Sequence, residues 1–382
     1  MTDYGSYYTS QTKRRGFWAI LRDIILVLVT LLSAVALVVT YFSPFTDPNN
    51  YWQPAFFGLA APIIFIINIL LLLTWTIRWK FWSFFPLVAL IPGLWFSGSM
   101  LQLQLRTDYP DPVPAKDKLT VMTYNTHGFF QKLPNGDFAQ TVDSISAFIH
   151  RVNPDVICFQ EYESMRNSDS KKIDELLTDW RYRTTFLSVG DDWYGWGIAI
   201  FSKHPMFDAH SISFENSNNA AQFADILFRG DTLRIFNNHL QSNHITEERR
   251  LQMENMDIDN GSDGLIREVG SSLRTNFRKR AVQADSISEM IGSSPYPVIV
   301  VGDFNDTPLS YAYRTMLGKL NDTFKEKGSG YGYTFNNLFR LLRIDYIFTS
   351  PQLTTVQYSS ERLPWSDHNP VWVRLKMPEK KD

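Results

Sequence analysis

The stretch PDVICFQE, residues 154–161, decides the fold. Asn153-Pro154 stops whatever precedes it, an apolar β-type run follows over residues 156–159, and the run breaks into Gln160 and Glu161. A buried strand delivers a polar side chain to one edge of a sheet in this way. The same pattern recurs in VIVVGDFND (298–306), in RIDYIF (343–348) and in WSDHNP (365–370). Acidic, amide and imidazole groups at strand ends are the donors that a divalent metal and a phosphate require.

Outward from these fragments the chain alternates strands and helices. Residues 119–124 read as a strand ending at Asn125, and Val142, Ile145, Phe148 and Val152 recur at helical spacing. Further strands are predicted at 197–201, 224–228, 233–237, 298–301, 346–348 and 371–375. Phe277, Ala281, Ala284, Ile287 and Ile291 mark one more amphipathic helix. The class is α/β, with many strands and few helices.

The whole-chain values of 44% hydrophobic residues and a net charge of −2 blend two unlike segments. No charged residue lies between Asp23 and Asp47, between Asp47 and Arg78, or between Lys80 and Arg106. Each gap exceeds the roughly 20 residues that cross a bilayer. Three transmembrane helices are predicted, at about 24–43, 55–77 and 81–105, so that residues 1–106 form a membrane anchor and its partner is the lipid bilayer. Two other readings were weighed. The first span could be a cleaved signal peptide, though it is longer than a signal core and two more spans follow. The third could be re-entrant, because Pro86, Pro92 and Gly93 interrupt it.

Lys13, Arg14, Arg15 and Arg22 precede the first span, and Arg78 and Lys80 separate the second from the third. Basic residues stay on the cytoplasmic side, which predicts a multi-pass inner-membrane protein with a cytoplasmic N-terminus and an extracytoplasmic C-terminal domain. That sidedness reverses if the third segment does not cross.

Residues 107–118 include DYPDPVPAKDK, a proline-rich linker. A soluble domain spans 119–376, long enough for one well-buried core, and 377–382 form a polar tail. Of the 37 basic and 39 acidic residues, residues 1–106 hold seven and three, leaving 30 and 36 and a net of −6. This is not the basic footprint of a protein that grips duplex nucleic acid. The lone Cys158 lies in the apolar run, excludes any disulfide within the chain and reads as a buried thiol.

Taken in order, YN at 124–125, PDVICFQE, GIAIFSKHP at 197–205, NNHLQ at 237–241, GDFND, RIDYIF and SDHNPV resemble the endonuclease/exonuclease/phosphatase superfamily, the deoxyribonuclease I-like group that includes apurinic endonucleases, neutral sphingomyelinases and inositol-polyphosphate 5-phosphatases. The resemblance implies a four-layer α/β/β/α sandwich with two mixed β-sheets and helices outside. It also implies hydrolysis of a phosphodiester by water, with magnesium, or manganese in its place, as cofactor.

Carried over position by position, the resemblance makes Glu161 the principal metal ligand, with Asn125 beside it and Asp367 contributing from across the site. Asp303 orients or deprotonates the attacking water, and Asn305 contacts the phosphate. His368 stands opposite the metal, paired with Asp345, and either stabilises the transition state or activates water. His239 touches the scissile phosphate and is placed to protonate the leaving oxygen. His127 takes the place of an acidic metal-site residue of some relatives. Asp306 reads as a turn residue.

The remaining features point to specificity. Trp193, Tyr194 and Trp196 could form an aromatic lip, although packing beneath a loop also fits. Residues 244–273 form an insertion, and Arg274, Arg278, Lys279 and Arg280 read as a solvated basic face. His150, His204, His210 and His244 read as surface groups. A lipid-directed phosphodiesterase similar to neutral sphingomyelinases is favoured by the anchor and the acidic domain. A nuclease is favoured by frequency in the superfamily, and a silent binding module is disfavoured because every site residue is present.

Overall fold

The computed structural model describes residues 16–103, 117–129, 138–165, 170–190, 194–243, 262–337 and 340–377. The N-terminal part holds α1 (Phe17–Thr40), α2 (Gln53–Leu59), α3 (Ala61–Ile77), α4 (Phe84–Leu90) and α5 (Gly93–Ser97), then the short β1 (Leu101–Gln102). The C-terminal part begins with β2 (Lys118–Asn125), α6 (Phe138–Val152), β3 (Val156–Met165), α7 (Ser170–Leu176), β4 (Tyr182–Gly190) and β5 (Tyr194–Ser202). It continues with β6 (Met206–Ser213), β7 (Ala220–Phe228), β8 (Asp231–His239), α8 (Ser262–Gly292), β9 (Val298–Asp303) and α9 (Tyr311–Leu317). The final elements are β10 (Asn321–Asp322), α10 (Thr323–Lys327), β11 (Gly330–Tyr331), β12 (Asp345–Thr349), β13 (Thr354–Ser360) and β14 (Val371–Lys376).

Alternation along the central strands builds the layers. Val121, Val156, Cys158 and Ile200 point inward and meet Ile235, Ile299, Val301 and Ile347 of the facing sheet. The intervening Met122, Tyr124, Ile157 and Phe159 point outward against Val142, Ile145 and Ile149 of α6. On the far side Val298 and Val300 meet Ala284 and Ile287 of α8 and Met316 of α9. The sheets are ordered β13-β14-β2-β3-β5-β4 and β10-β12-β9-β8-β7-β6. Each is mixed, with one parallel pair, β2/β3 or β8/β9. This is the expected four-layer sandwich, and Cys158 is buried and free within it.

Strands β4, β6 and β13, which the sequence pattern did not predict, all lie at sheet edges. An edge strand has a neighbour on one side only, and β4 and β6 bury little of either face, so their apolar period is weak. The linker over 107–116, the tail from 378 onward and His244 lie outside the described residues.

The expectation of three spanning helices is corrected. Among the described residues, only α1 is an uninterrupted helix long and apolar enough to cross a bilayer. Its 24 residues measure about 36 Å at 1.5 Å per residue. The second predicted span is broken into α2 and α3, which meet at a bend of 71°. Pro62 has no N–H to donate to the Gly58 carbonyl one turn back, which breaks the ladder there. The third is divided by Pro92 into α4 and α5, of seven and five residues.

These pieces nevertheless pack on α1. Trp75 donates its indole N–H to Thr30 Oγ1 at 2.8 Å, Asn68 Nδ2 donates to Ser33 Oγ at 2.8 Å, and Arg78 pairs with Asp23 at 2.6 Å. Gly93 lets α5 approach the Phe65 ring, which a Cβ would meet at 2.4 Å. The loop after α1 and helix α2 dock on the C-terminal part. Thr307 Oγ1 donates to the Gly58 carbonyl freed by Pro62, at 2.7 Å, and Leu309 is buried among Leu37, Tyr41, Ala61, Ile64 and Ala89.

Two residues past Glu161, Glu163 is 1% exposed, and neither carboxylate oxygen has a hydrogen-bond partner among the described residues. Burial pushes its carboxyl up to about 7 from an ordinary 4.5. The folded state then holds more protons than the unfolded state between those two values, so stability falls as pH rises through that window. Glu163→Gln should therefore raise the melting temperature at about pH 8 and converge with the wild type at about pH 4. A thermal-unfolding series that shows the same difference at every pH would contradict this.

Candidate active site

Strand register gathers the site. In the second sheet β8 runs parallel to β9 and β12 antiparallel to it, so His239 and Asp345 flank Asp303 in one row. In the first sheet Asn125 ends β2 opposite Gln160. The next residue, Glu161, leaves the ladder: β3 slips against β5 between Gln160 and Tyr162, and Glu161 has φ 51°. A bulge of this kind re-aims one side chain at a sheet rim. His127 (φ 49°) and Asn305 (φ 54°) share the left-handed conformation, which is costly for non-glycine residues and clusters at functional sites.

The two rims meet through side chains. Asn125 Nδ2 donates to Glu161 Oε1 at 3.1 Å and to Asp303 Oδ2 at 3.0 Å, linking the sheets. His239 Nε2 lies 3.7 Å from Glu161 and 3.8 Å from Asp303, and is buried without a hydrogen-bond partner. His368 Nδ1 bonds Asp345 Oδ2 at 2.9 Å while its Nε2 faces Asp303 Oδ2 at 3.7 Å. Asn305 donates its backbone N–H to Asp303 Oδ1 at 2.8 Å. Asp367 sits beside His127, whose Nδ1 lies 3.6 Å from it and 3.3 Å from Glu161. All eight sequence-predicted residues thus face one cavity or its immediate wall, with Asn125 and Asp345 just behind the lining.

The charges are shifted by these contacts. Burial alone would raise the Glu161 carboxyl, but the His127 hydrogen bond and the positive fields of His239, His127 and His368 hold it at about 2. Desolvation lifts Asp303 to about 6, the His368 charge opposing it and the Asp345 charge adding to it. Burial works against charge on His368, yet Asp345 and Asp303 together drive its pKa well above the ordinary 6.5. The Glu161 hydrogen bond raises His127.

Two groups of side chains could hold a cation. Asp303, Asp345 and His368 converge closely, but all three are buried and spend their atoms on one another. Glu161 and Asp367 are partly exposed and offer oxygen to the cavity, and oxygen donors of this kind suit a hard divalent cation. Asn125 turns its Nδ2 to Glu161 and Asp303 while its Oδ1 accepts the His127 N–H, so its amide would have to rotate to join them. His127 stands beside it as an imidazole in place of a third carboxylate.

Several supporting residues had no signal in the sequence. Ser366 Oγ donates to the Asn125 carbonyl at 2.8 Å and accepts from the His368 N–H, tying the loop before β14 to the end of β2. Thr334 Oγ1 accepts the Asp345 N–H at 3.0 Å, and Phe335 lies 5.0 Å from the His368 ring. Trp196 lines the cavity, while Trp193 and the Tyr194 side chain lie outside the described residues. His150, His204 and His210 bond the Leu176 carbonyl, Asp155 and Asp208, away from the site.

Arg280 overturns the expectation of a solvated basic face. It is 1% exposed and donates to the Gln241 carbonyl at 3.0 and 2.8 Å, to Asp306 Oδ2 at 2.8 Å and to Asn243 Oδ1 at 2.6 Å. It thereby locks the loops after His239 and Asp303 together, and Asp306 is its counter-ion as well as a turn residue.

A four-layer sandwich with two mixed sheets, carrying carboxylates and imidazoles on its facing rims, defines a class of phosphoester-cleaving domains. Residues 122–368 match the Endonuclease/Exonuclease/phosphatase family, and the chain belongs to that family, whose members are hydrolases acting on phosphodiester bonds. Residues 23–100 match a domain of unknown function, DUF8431. No curated protein matches the chain. Among solved structures, an endonuclease/exonuclease/phosphatase from Beutenbergia cavernae is similar at 18% identity and TM-score 0.50, over 69% of this chain and 72% of that one. TDP2 from D. rerio, complexed with a single-strand DNA product, is similar at 18% and 0.47, over 68% and 98%. Beta toxin from Staphylococcus aureus is similar at 21% and 0.45, over 67% and 99%.

Removing one partner of a buried ion pair strands the other, at a cost of about 3–5 kcal/mol. Arg280→Ala should destabilise the C-terminal part on that order, measured by denaturant unfolding of the full chain in detergent. A loss below about 1 kcal/mol would mean that Arg280 does not hold the two loops.

Proposed function

We propose that the protein is a membrane-anchored, divalent-metal-dependent phosphodiester hydrolase. The observation that carries this reading is the meeting of Glu161, Asn125 and His368, which leads into β14, on one sheet rim with His239, Asp303 and Asp345 on the other.

Glu161, Asp367 and Asn125 would hold the metal, magnesium or manganese. Bound there, it supplies positive charge against a non-bridging phosphate oxygen. Asp303, whose carboxyl is raised to about 6, orients the attacking water and accepts its proton. Asn305 donates its Nδ2 to Asp303 Oδ2 at 3.2 Å and to the Leu240 carbonyl at 3.0 Å, so it orients Asp303 and would exchange one of these bonds to meet the phosphate. His239, with its unpartnered Nε2, donates to the phosphate or to the leaving oxygen. Asp345 keeps His368 charged and oriented, so that His368 stabilises the negative charge building at phosphorus. A binding module without activity would not need this arrangement of acid and base.

Anchoring is supported by α1, since only 22% of its most apolar window is buried. A core helix of a soluble protein would be largely covered. The basic residues before α1 favour a cytoplasmic N-terminus. The C-terminal part touches residues immediately beyond α1, at Gly58 and through Arg314 over the Phe45 ring at 3.8 Å. This favours an extracytoplasmic catalytic domain whether or not the later segments cross. Among substrates, a phospholipid is favoured over nucleic acid: no Lys or Arg lines the cavity among the described residues, and a polyanion is gripped through such groups.

The full-length protein in detergent should hydrolyse bis(p-nitrophenyl) phosphate with magnesium and lose that activity in EDTA. His368→Ala and Asp303→Ala should each lower kcat by about 10²–10⁴. Metal-independent turnover, or wild-type rates in both variants, would remove the mechanism. A phosphatase reporter fused after Lys118 should be active, and an inactive but expressed fusion would reverse the sidedness.

A further inference from the structure

The cavity above the catalytic rims is not built by the C-terminal part alone. Its volume is about 550 Å³, and Leu59, the last residue of α2, lines it together with Glu161, His239, Asp303 and His368. Beyond this polar floor the lining includes the apolar Val189, Trp196, Phe335 and Leu342 as well as Leu59, interspersed with Ser188, Asn218, Asn219, Ser242, Asn243 and Asn337. The apolar part rewards an occupant with an apolar portion of its own.

Leu59 is fixed in place rather than leaning in by chance. It packs with Ala55 against Val269, Leu273 and Phe277 of α8. The preceding Gly58 is clamped by the Thr307 hydroxyl, and a Cβ on it would stand 2.3 Å from the Leu309 carbonyl oxygen. Only glycine allows α2 to sit that close. Directly beyond the bend, α3 exposes Ile63, Ile66, Leu70 and Leu73. Leu59, which lines the cavity, thus lies four positions before the first of these exposed apolar side chains.

We propose that α2, through Leu59, is the specificity-determining wall of the active site, and that it selects a phosphodiester carrying an alkyl chain, an amphiphile drawn from the bilayer along α3. The inference rests on the hydrolase reading above and adds to it the substrate's apolar half and the residue that senses it. The phosphate meets the Glu161, His239 and Asp303 floor while the chain lies between Leu59 and Trp196.

The test uses the full-length protein in phosphatidylcholine nanodiscs with magnesium and a series of p-nitrophenyl alkyl phosphates, from methyl to hexyl. Water's oxygen joins phosphorus, the bond from phosphorus to the p-nitrophenyl oxygen breaks, and the released nitrophenolate is read by its colour, with the alkyl phosphate as second product. Each methylene that becomes buried should raise kcat/KM by up to about fourfold, so the hexyl-to-methyl ratio of the wild type should exceed about ten. Comparing variants in identical discs cancels partitioning of the chain into lipid.

Leu59→Asn should cut the ratio at least fivefold, and Leu59→Met, which conserves volume and apolarity, should keep it. Leu59→Ala adds no polar group and should lower the ratio about threefold or more, which carries the test if the asparagine variant does not fold. A wild-type ratio near one, or a high ratio that survives both Leu59→Asn and Leu59→Ala, overturns the proposal. Absence of magnesium-dependent hydrolysis of every ester in the series removes the hydrolase reading instead, and this inference with it.

Discussion

Asp303 is almost fully buried at the seam between two sheets, and the site depends on how its charge is managed. It lies beside a second buried carboxylate, Asp345, and shares the Asn125 amide with Glu161. Carboxylates this close cannot all ionise unless cationic groups face them. Three imidazoles do so: His368 lies between Asp345 and Asp303, His239 between Asp303 and Glu161, and His127 between Glu161 and Asp367. The arrangement alternates acid and base around one cavity. It leaves Glu161 firmly ionised while Asp303 titrates near 6, and acids with different tasks need this separation.

The protein makes that ring by strand geometry more than by loops. Asp303 is set by the parallel β8/β9 and antiparallel β9/β12 registers, which carry His239 and Asp345 to the same row. Glu161 needs a bulge, because a side chain in regular register at Gln160 turns inward, where it bonds Asn237 at 2.6 Å between the sheets. The buried Arg280 then holds the two loops that leave the row, its planar guanidinium making four hydrogen bonds in a fixed fork, one more than the three N–H groups of a lysine ammonium could donate.

Much of this was legible in the sequence, for identifiable reasons. Buried strands such as residues 298–303 are apolar on both faces, so their polar tips stand out, and Glu161, Asp303, Asp345 and His368 could be named from the chain. Edge strands gave no such contrast. Arg280 looked solvated because its neighbours Arg278 and Lys279 are basic, and only the fold shows that its carbonyl and carboxylate acceptors lie inward. The helical part was misread by counting uncharged residues alone: Pro62 and Pro92 break the backbone ladder within otherwise apolar runs. Leu59 could not be found at all, since an ordinary leucine in an apolar stretch carries no mark of the cavity it borders.

The seam between Gly58, Thr307 and Leu309 has a consequence for handling of the protein. A chain severed in the polar joint after residue 103 would leave Leu309 and Phe277 as a greasy scar on an otherwise hydrophilic body. A borrowed leader in place of the native helices would bring no glycine to accept the threonine and no leucine to border the cleft.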